Sequence, residues 1–406
     1  MKASRFAITA LTTALVCWLA LVGGAPAAAG TPHGFRYLHG VQASEAIPQG
    51  SRHVLLVGGG TITRIGPGDR IDRGFGTDGR VEDEAIQVGV QPDGKIIVLG
   101  GFRRIVTRLT PEGRPDPSFG RDGTVPLAAF PRFETEDAMT VSATGIVLGG
   151  EVAGTGKPAL ARLRPNGAID RGFGHDGVKV IGTEEFPEIE DLETLPGGGY
   201  LVTEQNDNEI CEFTAAGAVR RSFGNDGCAS SIRFGHRGPG VGFSADDLPL
   251  VLPGGELIVY GDLSRYVHGE NQYTVGAVRL RADGSKDRSY GRGGFAYLPF
   301  DDLYGPGEDG FSGGAAFGQG GKLVIGASLG IVTGMALVTF DSDGHLDRSL
   351  GEGGKVLVGE PFVGYANAGP VILRPDRQAL LFGVEGTAPT SIVRASLAPR
   401  RAGAVR

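Results

Sequence analysis

The chain has 406 residues, 71 of them glycine, and a formal charge of −7. An acidic chain is a poor partner for nucleic acid, whose general binding is driven by cationic contacts to phosphate. The glycines follow no collagen period and no segment keeps a helical apolar period, so fibre and helix-bundle classes are set aside.

Residues 1–29 read as a secretory leader. Lys2 and Arg5 form the charged region, Phe6 to Leu21 the apolar region, and Ala25-Pro26-Ala27-Ala28-Ala29 the small-residue cleavage sites. The competing reading is a membrane anchor, but the apolar core is short and ends in Gly23-Gly24-Ala25-Pro26. Val16 ahead of Cys17 argues against lipidation there. No later segment is long and apolar enough to span a bilayer. The exported chain, 30–406, then carries −9, because Lys2 and Arg5 leave with the leader.

From there one unit repeats. In its second copy Ala85–Gln91 is a strand, Pro92-Asp93-Gly94 a turn, and Lys95–Gly100 a strand of β-branched and apolar residues. The equivalent return strands are Val54–Val57, Ile146–Leu148, Tyr200–Val202, Leu257–Tyr260, Leu323–Ile325 and Ala379–Phe382. Third strands follow at Thr61–Ile65, Ile105–Leu109, Ala159–Leu163, Ile210–Phe213, Gly276–Leu280, Ala336–Phe340 and Ser391–Ala395. A turn such as Pro111-Glu112-Gly113 then leads to a fourth strand expected through Asp116, Phe119, Gly120 and Gly123. The aromatic position recurs at Phe75, Phe119, Phe173, Phe223, Tyr290 and Leu350, and a degenerate copy stands at Gly34-Phe35. That pattern is one of core packing between neighbouring units.

Opposite charges stand eight residues apart about the third turn. The pairs are Arg64 and Asp72, Arg108 and Asp116, Arg162 and Asp170, and Arg279 and Asp287. The fourth unit exchanges the signs, with Glu212 and Arg220, and the sixth keeps Asp347 but has Thr339 in place of the cation. Residues equidistant from a hairpin turn face each other, so these are cross-strand ion pairs, worth about 0.2–1 kcal/mol each if exposed.

Seven four-stranded units predict an all-β fold, a seven-bladed β-propeller of antiparallel blades. The last unit supplies only three strands before the basic tail. The N-terminal strand near Phe35 is expected to complete the seventh blade and close the ring, the alternative being a strand from Ala402–Arg406. Closure removes exposed sheet edges, and a monomer is expected. Cys211 and Cys228 lie in paired strands of the fourth unit. In an oxidising compartment they are either a disulfide or two buried thiols, and their unequal offset from the turn asks for a bulge or slipped register.

These units resemble delta-60 repeats, common in secreted bacterial proteins. The matching stretches are Pro115–Gly123 for "L-D-x-S-F-G-x-x-G", Gln91–Gly100 for "x-P-D-G-K-I-x-V-x-G", and Arg279–Gly284 for "R-L-x-x-D-G". The resemblance covers nearly all of 30–406 and implies a propeller similar to NHL and quinoprotein-type propellers. It implies no catalytic residue set. Unit four departs from the pattern at Glu212, Arg220 and Cys228.

Candidate sites follow from where connections vary in length. The fourth-to-first and second-to-third connections share one face, here the top. The other two connections are short and uniform on the bottom, which reads as structural. Unit five has a long entry, Ala229–Asp246, and a long loop, Asp262–Tyr273, and unit six has Phe300–Asp309. They carry Arg233, Phe234, His236, Tyr266, His268, Asn271, Tyr273 and Tyr304, side chains suited to an extracellular protein or a glycan, unless the insertions are merely tolerated. A second pattern is acidic. Asp83, Asp137, Asp191, Asp207, Asp247 and Asp309 lie near the starts of first strands or in a top loop. Gathered at the channel mouth they would offer oxygen ligands to calcium, with metal-assisted hydrolysis as the enzymatic alternative. Solvated loop carboxylates are the plainer account. Gly310-Phe311-Ser312-Gly313-Gly314 fits a nucleophile-elbow form but sits at a strand entry, without the strand–turn–helix context that form needs. The dispersed histidines give zinc no support.

Overall fold

The structure is a computed structural model. It describes residues 34–82, 85–100, 104–130, 132–181, 189–204, 209–230, 241–245, 249–267, 270–300, 309–318, 320–329, 335–351, 353–358, 367–374, 378–384 and 390–397. Residues 1–29, where the leader is expected, lie outside the described residues.

The first strand, β1 (Gly34–Leu38), leaves its sequence neighbours and pairs elsewhere. Blade 1 is β2 (Glu45–Gln49), β3 (His53–Gly58), β4 (Thr61–Ile65) and β5 (Arg80–Glu82). Blade 2 is β6 (Ala85–Val90), β7 (Ile96–Gly100), β8 (Ile105–Leu109) and β9 (Thr124–Pro126). Blade 3 is β10 (Phe133–Ser142), β11 (Gly145–Val152), β12 (Lys157–Leu163) and β13 (Val178–Val180). Blade 4 is β14 (Ile189–Thr194), β15 (Tyr200–Glu204), β16 (Glu209–Phe213) and β17 (Cys228–Ser230). Blade 5 has a divided first strand, β18 (Val241–Ala245) and β19 (Leu250–Val251), then β20 (Leu257–Val267), β21 (Glu270–Leu280) and β22 (Phe295–Tyr297). Blade 6 is β23 (Gly310–Phe317), β24 (Leu323–Leu329), β25 (Met335–Phe340) and β26 (Lys355–Val358). Blade 7 is β27 (Asn367–Leu373), β28 (Gln378–Val384) and β29 (Thr390–Ser396), completed by β1.

The ring therefore closes as the strand count predicts. Gly34 faces Arg394 and Leu38 faces Thr390 in an antiparallel register. Thr390 adds hydrogen bonds from its amide and hydroxyl to the Val41 carbonyl. Gly34-Phe35 is not a copy of the Phe119-Gly120 element, because it lies inside a strand where the other copies form a turn.

Each blade packs on both faces, so its second strand is apolar throughout rather than alternating; Ile96–Gly100 is buried at every position. Seven apolar cores result, each shared by two neighbouring blades. One joins Leu55, Ile62 and Phe75 of blade 1 to Val88 and Ile96 of blade 2. The closing core joins Val54 and Leu56 to Leu380, Phe382 and Ile392 of blade 7. First strands of consecutive blades touch one another, as β2 does with β6 and with β27, which sets them nearest the axis. A bulge interrupts the first strand in blades 2, 3, 4, 6 and 7. In blades 2, 3, 6 and 7 a glycine of the second strand stands opposite the bulge, at Gly100, Gly149, Gly326 and Gly383, whereas blade 4 has Thr203 and Glu204 there. A Cβ on Gly326 would come within 3.0 Å of Val371 Cγ2 and 2.7 Å of Leu381 Cδ1, so the bare backbone is required there.

The fourth strand lies later than the sequence suggests. Asp116–Gly123 is a compact turn, with Phe119 N–H donating to Asp116 and Gly123 N–H to Phe119. Gly120, Asp122 and Gly123 all have positive φ, which no strand accommodates, and pairing resumes only at Thr124.

That turn fastens one blade to the next. Arg108 Nε lies 2.9 Å from Asp116 Oδ2, its guanidinium covers the Phe119 ring at 4.8 Å, and Nη1 donates to the Pro165 carbonyl of blade 3 at 2.7 Å. Arg162 does the same with Asp170, Phe173 and Ala215, and Arg279 with Asp287, Tyr290 and Ser342. Arg64 joins Asp72, Phe75 and Pro111 in the first blade. The aromatic ring meets the turn glycine of the following blade; a Cβ on Gly167 would stand 2.8 Å from Phe119. In blade 6, where Thr339 replaces the arginine, Lys322 Nζ reaches Asp347 at 2.5 Å. Only 6% of the Arg108 side chain and 9% of Asp116 are exposed, so this pair is buried and the magnitude for an exposed pair does not apply to it. The physical reason is the neighbouring blade, which a single hairpin does not reveal.

Cys211 and Cys228 stand directly opposite each other, Cα atoms 4.1 Å apart, and their sulfurs are bonded at 2.06 Å. No bulge is needed. The connection contains two successive turns, closed by Phe213–Val219 and Asn225–Cys228 bridges, so counting from one turn misjudges the register.

Candidate functional site

The segment Asp262–Tyr273, read from sequence as a loop, is a tall hairpin. β20 and β21 have eleven residues each and stay in register from Leu257 opposite Leu280 to Val267 opposite Glu270. Leu263, Val267, Tyr273, Thr274 and Val275 are good strand formers, and the second and third strands lengthen together.

Period-two alternation sorts the hairpin's side chains. Leu263 enters the core shared with blade 4, so Asp262, Ser264 and Tyr266 face the other way, toward blade 6. Tyr266 lies opposite Asn271 and Ser264 opposite Tyr273, which puts Asn271 and Tyr273 on that same face. Tyr273 packs against Phe311 of β23, with centroids 5.3 Å apart and planes at 32°. Phe311 remains 43% exposed and Tyr266 62% exposed. On the reverse face Arg265 donates to Gln272 at 2.8 Å and covers the Phe300 ring at 4.3 Å.

Two carboxylates anchor this aromatic ledge. Asp309 accepts the Tyr273 N–H at 2.9 Å, and Asp262 accepts both the amide and the hydroxyl of Ser312 at 2.8 Å. Burial raises the Asp262 carboxyl above its ordinary value, against the pull of those two bonds. Ser312 thus serves as a donor at the bulge of β23. Gly310–Gly314 forms no strand–turn–helix elbow.

Among the sequence candidates, Tyr266, Asn271 and Tyr273 come together. Arg233, Phe234, His236, His268 and Tyr304 lie outside the described residues, as do Asp83, Asp207 and Asp247 and the side chain of Asp137. Asp309 clips blade 6 to blade 5, and Asp191 belongs to blade 4. Gln87 of blade 2 donates to Asp191 at 3.4 Å, and burial, then the Asp191 charge, lift Glu193 to about 7. Glu136, Asp137 and Glu190 fall inside the bulges of first strands rather than ahead of them. Among the described residues the one cluster with metal-ligand spacing is Glu209, Cys211 and Cys228. Its two sulfurs are spent in the disulfide and offer no thiolate.

Sequence reasoning missed Phe311, Arg265, Gln272 and Phe300. Phe311 was legible in principle, as a large ring within the glycine-rich strand Gly310–Phe317.

No helix among the described residues is long and apolar enough to cross a membrane. A family described as "Domain of unknown function (DUF5122) beta-propeller" matches residues 91–119 and 145–173, within blades 2 and 3. No curated protein sequence matches the chain. Among solved structures, virginiamycin B lyase from Staphylococcus aureus is 11% identical, with 90% of this chain and 99% of that one covered and a TM-score of 0.49. YCF48 from Cyanidioschyzon merolae is 11% identical, with coverage of 89% and 98% and a TM-score of 0.45. The chain is a seven-bladed β-propeller related to the DUF5122 propellers.

Proposed function

We propose that this is an exported propeller, of the delta-60 repeat kind, that binds a protein or carbohydrate ligand on the top edge of blades 5 and 6. The observation that carries the reading is the ledge of Tyr266 and Phe311, rings left exposed to solvent on either side of the half-buried Tyr273, on a hairpin and strand clipped together by Asp262 and Asp309. Exposed rings on a fixed scaffold stack on sugar faces or on the apolar side chains of a peptide at low entropic cost. The Cys211–Cys228 bond and the leader-like residues 1–29 support export to an oxidising compartment. The test is a binding screen of the labelled mature chain against soluble polysaccharides and extracellular protein fractions. Tyr266→Ala with Phe311→Ala should lose the hits while melting unchanged. Hits that persist in the double variant remove the reading.

A second reading, metal-assisted hydrolysis at the channel mouth with calcium, is favoured by the pairing of Asp191 with Glu193 on one side of β14 and the approach of Gln87. Calcium calorimetry decides it. The absence of heat and of a thermal shift would leave it without support.

A further inference from the structure

A cleft of about 420 Å³ opens between blades 4 and 5 on the bottom face, lined by Leu195, Gly199, Glu212, Arg220, Leu257 and Ala282 among others. Comparison with blade 2 shows why it exists. There three side chains fill the equivalent joint: Gln91 and Arg108 both donate to Pro165 of the next blade, and Lys95 Nζ lies 3.1 Å from Asp116. The turn hydrogen bonds superpose the two blades residue by residue. Gln91 N–H bonds the Lys95 carbonyl as Leu195 N–H bonds the Gly199 carbonyl. Likewise Asp116 N–H bonds the Arg108 carbonyl as Arg220 N–H bonds Glu212. Blade 4 thus has Leu195, Gly199 and Glu212 where blade 2 has a glutamine, a lysine and an arginine. All three donors are gone from one joint. Arg220 lies 2.5 Å from Glu212 Oε1 but is 54% exposed at the rim, and among the described residues no cation covers Phe223.

What remains is a buried carboxylate held only from the rim, by Arg220 on Oε1, and a backbone carbonyl that has lost its donor. Glu212 is 4% exposed, and the Ala282 carbonyl, counterpart of Pro165, accepts no hydrogen bond from a described residue. Leu195, Pro196, Pro253 and Leu257 give the walls an apolar surface suited to a methylene stem. A volume near 420 Å³ is toward the small end of ligand pockets. A carboxylate shared by two cations is already a pattern of this fold, since Asp116 takes both Arg108 and Lys95.

We propose that the blade 4–5 cleft binds an alkyl-guanidinium group supplied from outside, either a free guanidino compound or the arginine side chain of a peptide. The incoming group takes the place that the chain's own arginine holds in blades 1, 2, 3 and 5, bonded to Glu212 and to the Ala282 carbonyl. This site is independent of the top-face ledge.

The experiment is an NMR or calorimetric titration of the mature chain with agmatine, N-acetylarginine amide and, as a neutral isostere, N-acetylcitrulline amide. Agmatine or the arginine amide should bind with a dissociation constant on the order of 1 mM, and the citrulline compound about tenfold more weakly or not at all. Agmatine alone binding identifies a free compound; the amide binding as well or better identifies a peptide side chain. The repeat-restoring variant Glu212→Arg with Arg220→Asp should melt higher and lose binding by about tenfold or more. If that variant does not fold, Leu195→Gln, which copies blades 1 and 2, should weaken binding several-fold. The proposal is overturned if neither cationic probe binds, if citrulline binds equally well, or if the folded variants bind like the parent chain.

Discussion

Removing Arg108 and Lys95 separately and together tests whether the buried ion pairs hold the blades to one another. Arg108→Thr makes blade 2 resemble blade 6, where Thr339 leaves Lys322 to hold Asp347. The substitution discards a contact to Asp116, a 2.8 Å bond to Ser118, the bond to Pro165 and the cover over Phe119. Breaking a buried pair outright costs about 3–5 kcal/mol. Here Lys95 and the two Ser118 bonds still hold Asp116, so about 3 kcal/mol is expected. Lys95→Met alone should cost about 1 kcal/mol, its side chain being partly exposed. Together they leave a buried carboxylate with no cation, and the double variant should lose about 1–2 kcal/mol more than the sum. Acid titration gives an independent reading. The Asp116 carboxyl is held down to about 2: burial opposes this, but the Ser118, Lys95 and Arg108 interactions prevail. A depressed carboxyl stabilises the fold above its ordinary value of 3.8 and loses that contribution as pH falls through about 2. The loss is about 2 kcal/mol in the parent and should be smaller in the double variant, where only the two Ser118 bonds still hold the carboxyl down. Urea denaturation at pH 7, 4 and 2 measures both. Strict additivity at pH 7, with an unchanged acid limb, would refute the argument.

Glu193 gives the opposite sign. A carboxyl raised to about 7 binds its proton more tightly when folded, so stability falls as pH rises from about 4.5 to 7. Glu193→Gln should flatten that slope and stabilise the chain at pH 8 by as much as about 3 kcal/mol in urea melts. Deleting residues 30–42 removes the β1–β29 ladder and the buried Leu38 and Val41, and should lower the melting temperature by roughly 10 °C or more. An unchanged melt would mean that the ring does not depend on this strand. Reduction, or Cys211→Ser with Cys228→Ser, opens a 17-residue separation in blade 4 and should cost about 3 kcal/mol, measured with and without reductant.

The blade count and the closing strand were legible because repeated strands can be counted, and the last unit visibly lacks its fourth. Ion-pair partners were legible from their spacing. Their burial was not, since the third partner, such as Pro165 for Arg108, comes from the next blade. Likewise Asp116–Gly123 looks like a returning strand until Gly120, Asp122 and Gly123 adopt positive φ. The height of the β20–β21 hairpin was hidden because polar residues such as Asp262 and Ser264 occupy its blade 6 face. Most instructive is Glu212 with Arg220. Exchanging the signs preserves the attraction, and on charge alone blade 4 seems equivalent to the rest. Volume is not preserved, because a glutamate on the third strand cannot fill the place of an arginine, and a cleft appears.

The pairing of Gly34 with Arg394 also governs when the molecule can finish folding. The earliest strand synthesised must wait for the latest, so no partly made chain can assemble the final sheet. Long-range closure of this kind slows folding, because the entropy of bringing distant segments together is met before their contacts reward it. Under the export proposed above, the delay would let the chain pass a translocation pore extended and lock the circle on the far side.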